Sequence, residues 1–197
     1  MMACAVIVAG GQSSRLGREK MFEMVGGRTI LDRTIARLAG RTSRIALNAN
    51  GDHCRLAHTG LEILADLHTD IGTPLAGLHA ALTFGGRHGY EGVLTVPSDA
   101  PFLPDDLVSR LSDDVGQAAI AASAGQPHYL TGWWPTALLP ALEEAIDQRL
   151  APRLQDWVVL SRARLIEWPF EPYDPFFNVN TPKDLAEAQR IAAEFGA

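Results

Sequence analysis

Ala3-Cys4-Ala5-Val6-Ile7-Val8-Ala9-Gly10-Gly11-Gln12-Ser13-Ser14-Arg15-Leu16-Gly17-Arg18-Glu19-Lys20 joins an apolar run directly to a glycine-rich, cationic one. An apolar run with no polar interruption, Ala3 to Ala9, reads as a strand buried on both faces, the pattern of a parallel sheet. The glycines that follow let backbone N–H groups come close to a phosphate, and small polar residues do not obstruct them. Arg15 and Lys20 add the fixed positive charge that a triphosphate requires.

Two commoner phosphate loops are excluded by spacing. A P-loop needs Gly-Lys-Ser/Thr in direct succession, and Arg18 and Glu19 separate Gly17 from Lys20. A dinucleotide fingerprint needs Gly-x-Gly-x-x-Gly, which Gly10-Gly11-Gln12-Ser13 breaks at its second glycine. What remains resembles the nucleotidyltransferase signature Ala-Gly-Gly-x-Ser-x-Arg-hydrophobic-Gly-x-x-Lys, with Leu16 at the hydrophobic position.

A chain of 197 residues is long enough for one α/β domain with a large core, spanning residues 1–197. The net charge of −6, with no long basic run, argues against nucleic acid or an anionic membrane as partner. The positive charge of the first loop is therefore local to a site. Cys4 and Cys54 lack metal-ligand spacing and read as reduced packing residues, which suits a cytoplasmic protein. No stretch reaches transmembrane length, and no basic segment followed by a long apolar core marks a signal peptide.

Further along, Thr29 to Ala39 carries Leu31, Ile35 and Leu38 at helical spacing, after a turn at Gly26-Gly27. Arg44 to Leu47 and Leu61 to Leu64 read as strands. The first leads into Asn48-Ala49-Asn50-Gly51, and Asp66 stands just beyond the second. Ligands of open parallel sheets collect at the carboxyl ends of strands, although side-chain-to-backbone turn bonding would equally use Asn48 and Asn50. Thr73 and Pro74 start a helix, by N-cap and first-turn proline, that should stop at Gly85-Gly86. Gly77 sits early in that helix, where it serves either close approach of a base or ribose or tight packing on a strand.

Gly92 to Val96 reads as a central strand delivering Pro97-Ser98-Asp99-Ala100-Pro101. A single carboxylate there suits Mg²⁺, which commonly takes one or two carboxylates plus phosphates and water. The alternative, Asp99 as a helix cap, is disfavoured because Asp105 and Asp106 are in place to cap Leu107 to Leu111. Ala118 to Ala122 reads as a strand and Gln126 to Trp134 as a loop and strand, with His128 a polar loop residue. Thr136 to Leu150 reads as a helix; Arg149 and Arg153 read as a solvated helix end; Val158 to Leu160 and Leu165 to Trp168 are strand candidates. Asn178 and Asn180 flank Val179, so in extended chain both amides face one way, ahead of the capping box Thr181-Pro182-Lys183-Asp184.

The first loop, Asn48-Ala49-Asn50, Asp66, Gly72-Thr73-Pro74-Leu75-Ala76-Gly77-Leu78, Pro97-Ser98-Asp99-Ala100-Pro101-Phe102-Leu103 and Asn178-Val179-Asn180-Thr181-Pro182 together resemble the molybdenum cofactor guanylyltransferase family, over nearly the whole chain. The resemblance implies a three-layer, Rossmann-like α/β fold with a mostly parallel central sheet. It implies transfer of GMP from GTP to the terminal phosphate of Mo-molybdopterin, with Mg²⁺ and release of pyrophosphate. It implies nucleotide contacts at Val8, Ala9, Gly10, Lys20, Asn48, Asp66 and Asp99, with Asp99 also the metal ligand; the residues themselves add Gly11 and Gly77 as candidate nucleotide contacts and Arg15 and Lys20 as the cations that act on the triphosphate. Asn178 and Asn180 match a segment associated with the pterin side. Molybdenum-cofactor carrier proteins or apo-molybdoenzymes enter as partners on the same ground. Glu19 and Ser98, where the family often has Asp and Cys, and Gln126-Pro127-His128 depart from the pattern. Rival readings are a cytidylyltransferase of the molybdenum cofactor, a sugar-phosphate nucleotidyltransferase and a nucleotide-binding relative without catalysis. An NAD-dependent oxidoreductase is disfavoured by the broken dinucleotide motif.

Overall fold

The computed structural model describes residues 3–9, 20–50, 54–67 and 74–196. Strands β1 (Ala3–Val8), β4 (Arg44–Asn48), β5 (Glu62–Leu64), β6 (Gly92–Pro97), β7 (Ala119–Ser123), β8 (Gln126–Pro135) and β9 (Arg164–Trp168) form a seven-stranded sheet in the order β5-β4-β1-β6-β8-β7-β9. All neighbours run parallel except β8, which is antiparallel to β6 and β7. The two-residue strands β2 (Met24–Val25) and β3 (Arg28–Thr29) make a separate hairpin across Gly26-Gly27.

Alternation along the strands builds two cores. Ala3, Ala5 and Ile7 of β1 face one way with Leu94 and Val96 of β6. They pack on α1 (Ile30–Leu38) and α3 (Leu107–Leu111). Cys4, Val6 and Val8 face the other way, onto α2 (Pro74–Arg87), α4 (Leu139–Asp147) and α5 (Leu154–Leu160). A sheet covered by helices on both faces buries the opening strand as its apolar run requires, and is the three-layer α/β architecture that the resemblance implied. The last helix, α6 (Pro182–Phe195), packs Ala188 and Ile191 with Val25 of the hairpin. It starts at the expected capping box: Thr181 Oγ1 accepts the Asp184 N–H, and Asp184 Oδ2 accepts the Thr181 N–H.

Several elements differ from their sequence reading. Helix α2 runs through Gly85-Gly86 to Arg87 and ends at Gly89, φ 70°, where the Tyr90 N–H reaches Gly85 O. Gly85 is there for packing, since a Cβ on it would lie 2.3 Å from Val93 Cγ2 and 2.9 Å from Thr136 Cγ2. Gly85→Ala is therefore expected to destabilise by about 1–3 kcal/mol by overpacking, against the ~1 kcal/mol gain that helix propensity alone would assign. Urea melts of the two proteins measure the sign. Residues 136–150 are not one helix: Pro140 has no N–H to bond back to the preceding turn, so α4 starts afresh after a 3₁₀ turn at Thr136–Leu138.

Val158 to Leu160 is helical, not a strand. In α5, Leu154, Trp157 and Val158 bury one face at helical spacing while Val159 and Leu160 are exposed, which a short apolar run does not reveal by itself. Gln126 to Trp134 is strand throughout, because β8 has a partner on each side. Asp106 stands at the N-cap position of α3 but makes no side-chain cap hydrogen bond, its Oδ1 accepting the Trp168 indole N–H instead, while Asp105 pairs with Arg37 and Arg41. Cys4 is buried as expected, whereas Cys54 is exposed. Burial pushes the Cys4 thiol up to about 12, which makes it inert packing. Among the described residues no helix is long and apolar enough to cross a membrane.

Candidate functional site

Register across the sheet sets up the site. Leu64, Asn48, Val8 and Pro97 pair in succession from β5 to β6, forming one row at the carboxyl edge of four parallel strands. The ladder continues just past it: the Ala9 N–H reaches Asn48 O, the Ala49 N–H reaches Leu64 O and the Ser98 N–H reaches Val8 O. Ala9, Asn50, Asp66 and Asp99 are one or two residues beyond this row, so each leaves the sheet at its open crevice.

On the β4–β5 flank, Asp66 is clamped by amides. Asn48 Nδ2 donates to Asp66 Oδ1 at 2.8 Å, Asn50 Nδ2 donates to Asp66 Oδ2 at 2.6 Å, and Asn50 Oδ1 accepts the Asp66 N–H at 3.0 Å. Asn48 is fully buried, with its Oδ1 unpartnered among the described residues. The turn chemistry open to these asparagines is thus replaced by a strand-to-strand network. Gly77 packs against it, since a Cβ there would stand 2.6 Å from Val8 Cγ1 and 2.7 Å from Asn48 Oδ1. Gly77 thus has the tight packing on a strand that was one of the two readings of its position.

A cavity of about 720 Å³ opens at the end of β1 and β6 and extends to β8 and the start of α5. Val8, Ala9, Lys20, Asn50, Asp99 and Asn178 line it. Lys20 stands in a 3₁₀ turn, Lys20–Phe22, and its Nζ donates to Asn180 Oδ1 at 2.8 Å, across 160 residues of chain. The Val179 N–H reaches Asp99 O at 3.0 Å, which fixes the last motif beside the carboxylate. Val179 is buried and both flanking asparagines are exposed, as extended alternation requires. Burial raises the Asp99 carboxyl above its ordinary range; the Lys20 charge and a backbone hydrogen bond offset this only in part.

Gly10, Gly11 and Arg15 of the first loop, and Thr73 ahead of α2, lie outside the described residues. Among the described residues, no group of three or more His, Cys, Asp or Glu side chains is placed to hold a metal ion. Sequence reading had no local signal for the far wall of the cavity, where Tyr129, Gln155 and Phe176 stand. Arg153 is part of that wall rather than a plain solvated end: its Nε and a terminal guanidinium nitrogen each reach Asp156 at 3.1 Å. His128, read as a loop residue, is in β8 and faces the same cavity.

Residues 5–163 match the model of the MobA-like NTP transferase domain. A molybdenum cofactor guanylyltransferase from Nitrobacter hamburgensis is 44% identical over 195 residues, covering 95% of this chain and 93% of that protein. Among solved structures, the molybdopterin-guanine dinucleotide biosynthesis protein A from Archaeoglobus fulgidus superposes with a TM-score of 0.71 at 25% identity, over 98% of this chain and 100% of that one. The 4-diphosphocytidyl-2C-methyl-D-erythritol synthase from Anaerococcus prevotii gives a TM-score of 0.75 at 14% identity over 98% and 96%, a likeness of fold alone.

Proposed function

Because this chain belongs to the MobA-like NTP transferase family, we propose that it transfers GMP from GTP to the terminal phosphate of Mo-molybdopterin, releasing pyrophosphate. The observation that carries this reading is the cavity lined by both Lys20 and Asp99, which opens at the ends of β1 and β6 and continues to β8.

In the reaction, an oxygen of the acceptor phosphate attacks the α-phosphorus of GTP, and the bond from that phosphorus to the bridging oxygen of pyrophosphate breaks. The attacking phosphate is already ionised at neutral pH, so no general base is needed. Catalysis then rests on positioning and charge neutralisation. Lys20, steered by Asn180, neutralises charge on the α-phosphate. Gly10, Gly11 and Arg15 are assigned to the triphosphate by their motif, with Val8, Ala9, Asn48 and Asp66 on the nucleoside flank and Asn178 and Asn180 toward the acceptor.

Asp99 suits Mg²⁺ by its own chemistry: it is a half-buried carboxylate whose burial is incompletely compensated, and a divalent cation held there would supply the missing charge. Bound there, the ion would withdraw charge from the departing pyrophosphate as a Lewis acid.

The test is to incubate the protein with Mo-molybdopterin, Mg²⁺ and each of GTP, CTP, ATP and UTP, and to identify the dinucleotide by mass. Guanine dinucleotide and pyrophosphate are expected; faster turnover with CTP would overturn the guanylyl assignment. Carrier proteins or apo-molybdoenzymes are the partners to which such a product would pass.

A further inference from the structure

On the flank of the cavity away from Asp66, three side chains from two distant segments form a hydrogen-bonded relay. Asp174 Oδ1 accepts the Phe176 N–H at 2.9 Å and the Ser123 hydroxyl at 2.8 Å. Ser123 Oγ lies 2.7 Å from His128 Nε2. A hydroxyl has one proton, and here it is given to the carboxylate, so Ser123 accepts from the ring and the proton of the neutral imidazole sits on Nε2. That tautomer leaves a lone pair on Nδ1. Nδ1 has no partner among the described residues, and the ring lines the cavity.

The ring is held as firmly as its tautomer. Ser123 and Gln126 pair across the tight turn that joins β7 to β8, which sets His128 opposite Ala121. The imidazole stacks on Phe176, centroid to centroid 4.7 Å, and Phe176 meets Trp168 edge-on at 5.4 Å. Burial keeps His128 below the ordinary histidine range, although the Asp174 and Glu167 carboxylates pull the other way. The ring is thus neutral at physiological pH and its Nδ1 an acceptor.

Sheet order says which substrate it meets. β8 lies on the far side of β6, three strand spacings from β4, or roughly 14 Å. A nucleoside beside Asn48 and Asp66 would lie on the other side of β1 and β6 from it. We propose that His128 is a specificity-determining contact of the acceptor, taking at Nδ1 a hydrogen bond from an N–H on the edge of its fused nitrogen heterocycle, with Ser123 and Asp174 as positioning residues. This rests on the reading of the cavity as the site of a guanylyltransferase.

Steady-state kinetics with Mg²⁺, GTP and Mo-molybdopterin test it in the parent, His128→Phe, His128→Asn and Ser123→Ala. His128→Phe keeps a ring against Phe176 but loses the acceptor atom. Its KM for molybdopterin is expected to rise about ten-fold, the size of one hydrogen bond, with KM for GTP and kcat nearly unchanged. His128→Asn places an amide oxygen near the Nδ1 position and should recover most of the loss. Ser123→Ala, which frees the tautomer, should raise the same KM about three-fold, within the range of one neutral hydrogen bond. Two-bond ¹H–¹⁵N couplings of His128 in the free protein should show the proton on Nε2. An Nδ1–H ring, or a parent-like molybdopterin KM in His128→Phe, overturns the inference alone. A parent protein that makes no guanine dinucleotide overturns the functional reading, and the inference with it.

Discussion

Lys20→Ala is expected to lower turnover at saturating GTP by about 10²-fold or more, the effect of removing one preorganised electrostatic donor from a developing charge. The reason lies in how the side chain is held. Lys20 reaches the cavity from a 3₁₀ turn, and its Nζ is steered by Asn180 from the other end of the chain, so the ammonium is placed before substrate arrives. A cation fixed in advance needs no reorganisation as charge builds on the transferred phosphoryl group. Turnover per folded molecule is the quantity to measure, with thermal melts alongside. If Lys20 merely helps its turn to fold, the melting temperature will drop and turnover per folded molecule will match the parent.

Asp99→Asn is expected to shift the Mg²⁺ dependence strongly, so that much more metal is needed for any given rate, while nucleotide binding without metal stays close to the parent's. The amide keeps the shape of the carboxyl and loses the charge that attracts the ion. The same substitution carries a stability signature of definite sign. Burial raises the Asp99 pKa in the folded chain, so the folded state binds this proton more tightly than the unfolded state does. The stabilisation from that proton is fully present below the unfolded pKa and is lost as pH rises through the folded value. At neutral pH and without Mg²⁺, Asp99→Asn should therefore melt higher than the parent. The gap should close on acidification, because protonation neutralises the carboxyl as the substitution does. Added Mg²⁺ should raise the melting temperature of the parent and have little effect on the variant. An Asp99→Asn protein with the parent's rate and Mg²⁺ dependence would remove the metal role proposed for this carboxylate.

The amino-acid sequence by itself determined the first strand and, through the motifs that resemble a family, the three-layer α/β class and the mostly parallel sheet. An uninterrupted apolar run such as Ala3 to Ala9 has few other places to be buried. It also marked Lys20, Asn48, Asp66, Asp99, Asn178 and Asn180 as polar residues at strand ends or beside caps, because glycines, prolines and amides punctuate a chain wherever it leaves regular structure. Their mutual contacts were not legible. That Lys20 meets Asn180, that two asparagines clamp Asp66, and that Val179 ties the last motif to Asp99 all depend on strand order, a long-range property with no local signature. The tertiary structure alone decided that Val158 to Leu160 is helical, since periodicity cannot sort so short a run until one face has something to pack against. It alone decided that Gly77 and Gly85 are contact points of a helix on a sheet, since helix propensity counts a missing side chain as a loss and only the neighbouring strand shows what the space is for. And it alone drew His128 out of a loop and into the cavity wall: its ring meets Ser123, and Ser123 meets Asp174, only when β7, β8 and the segment before α6 are brought together.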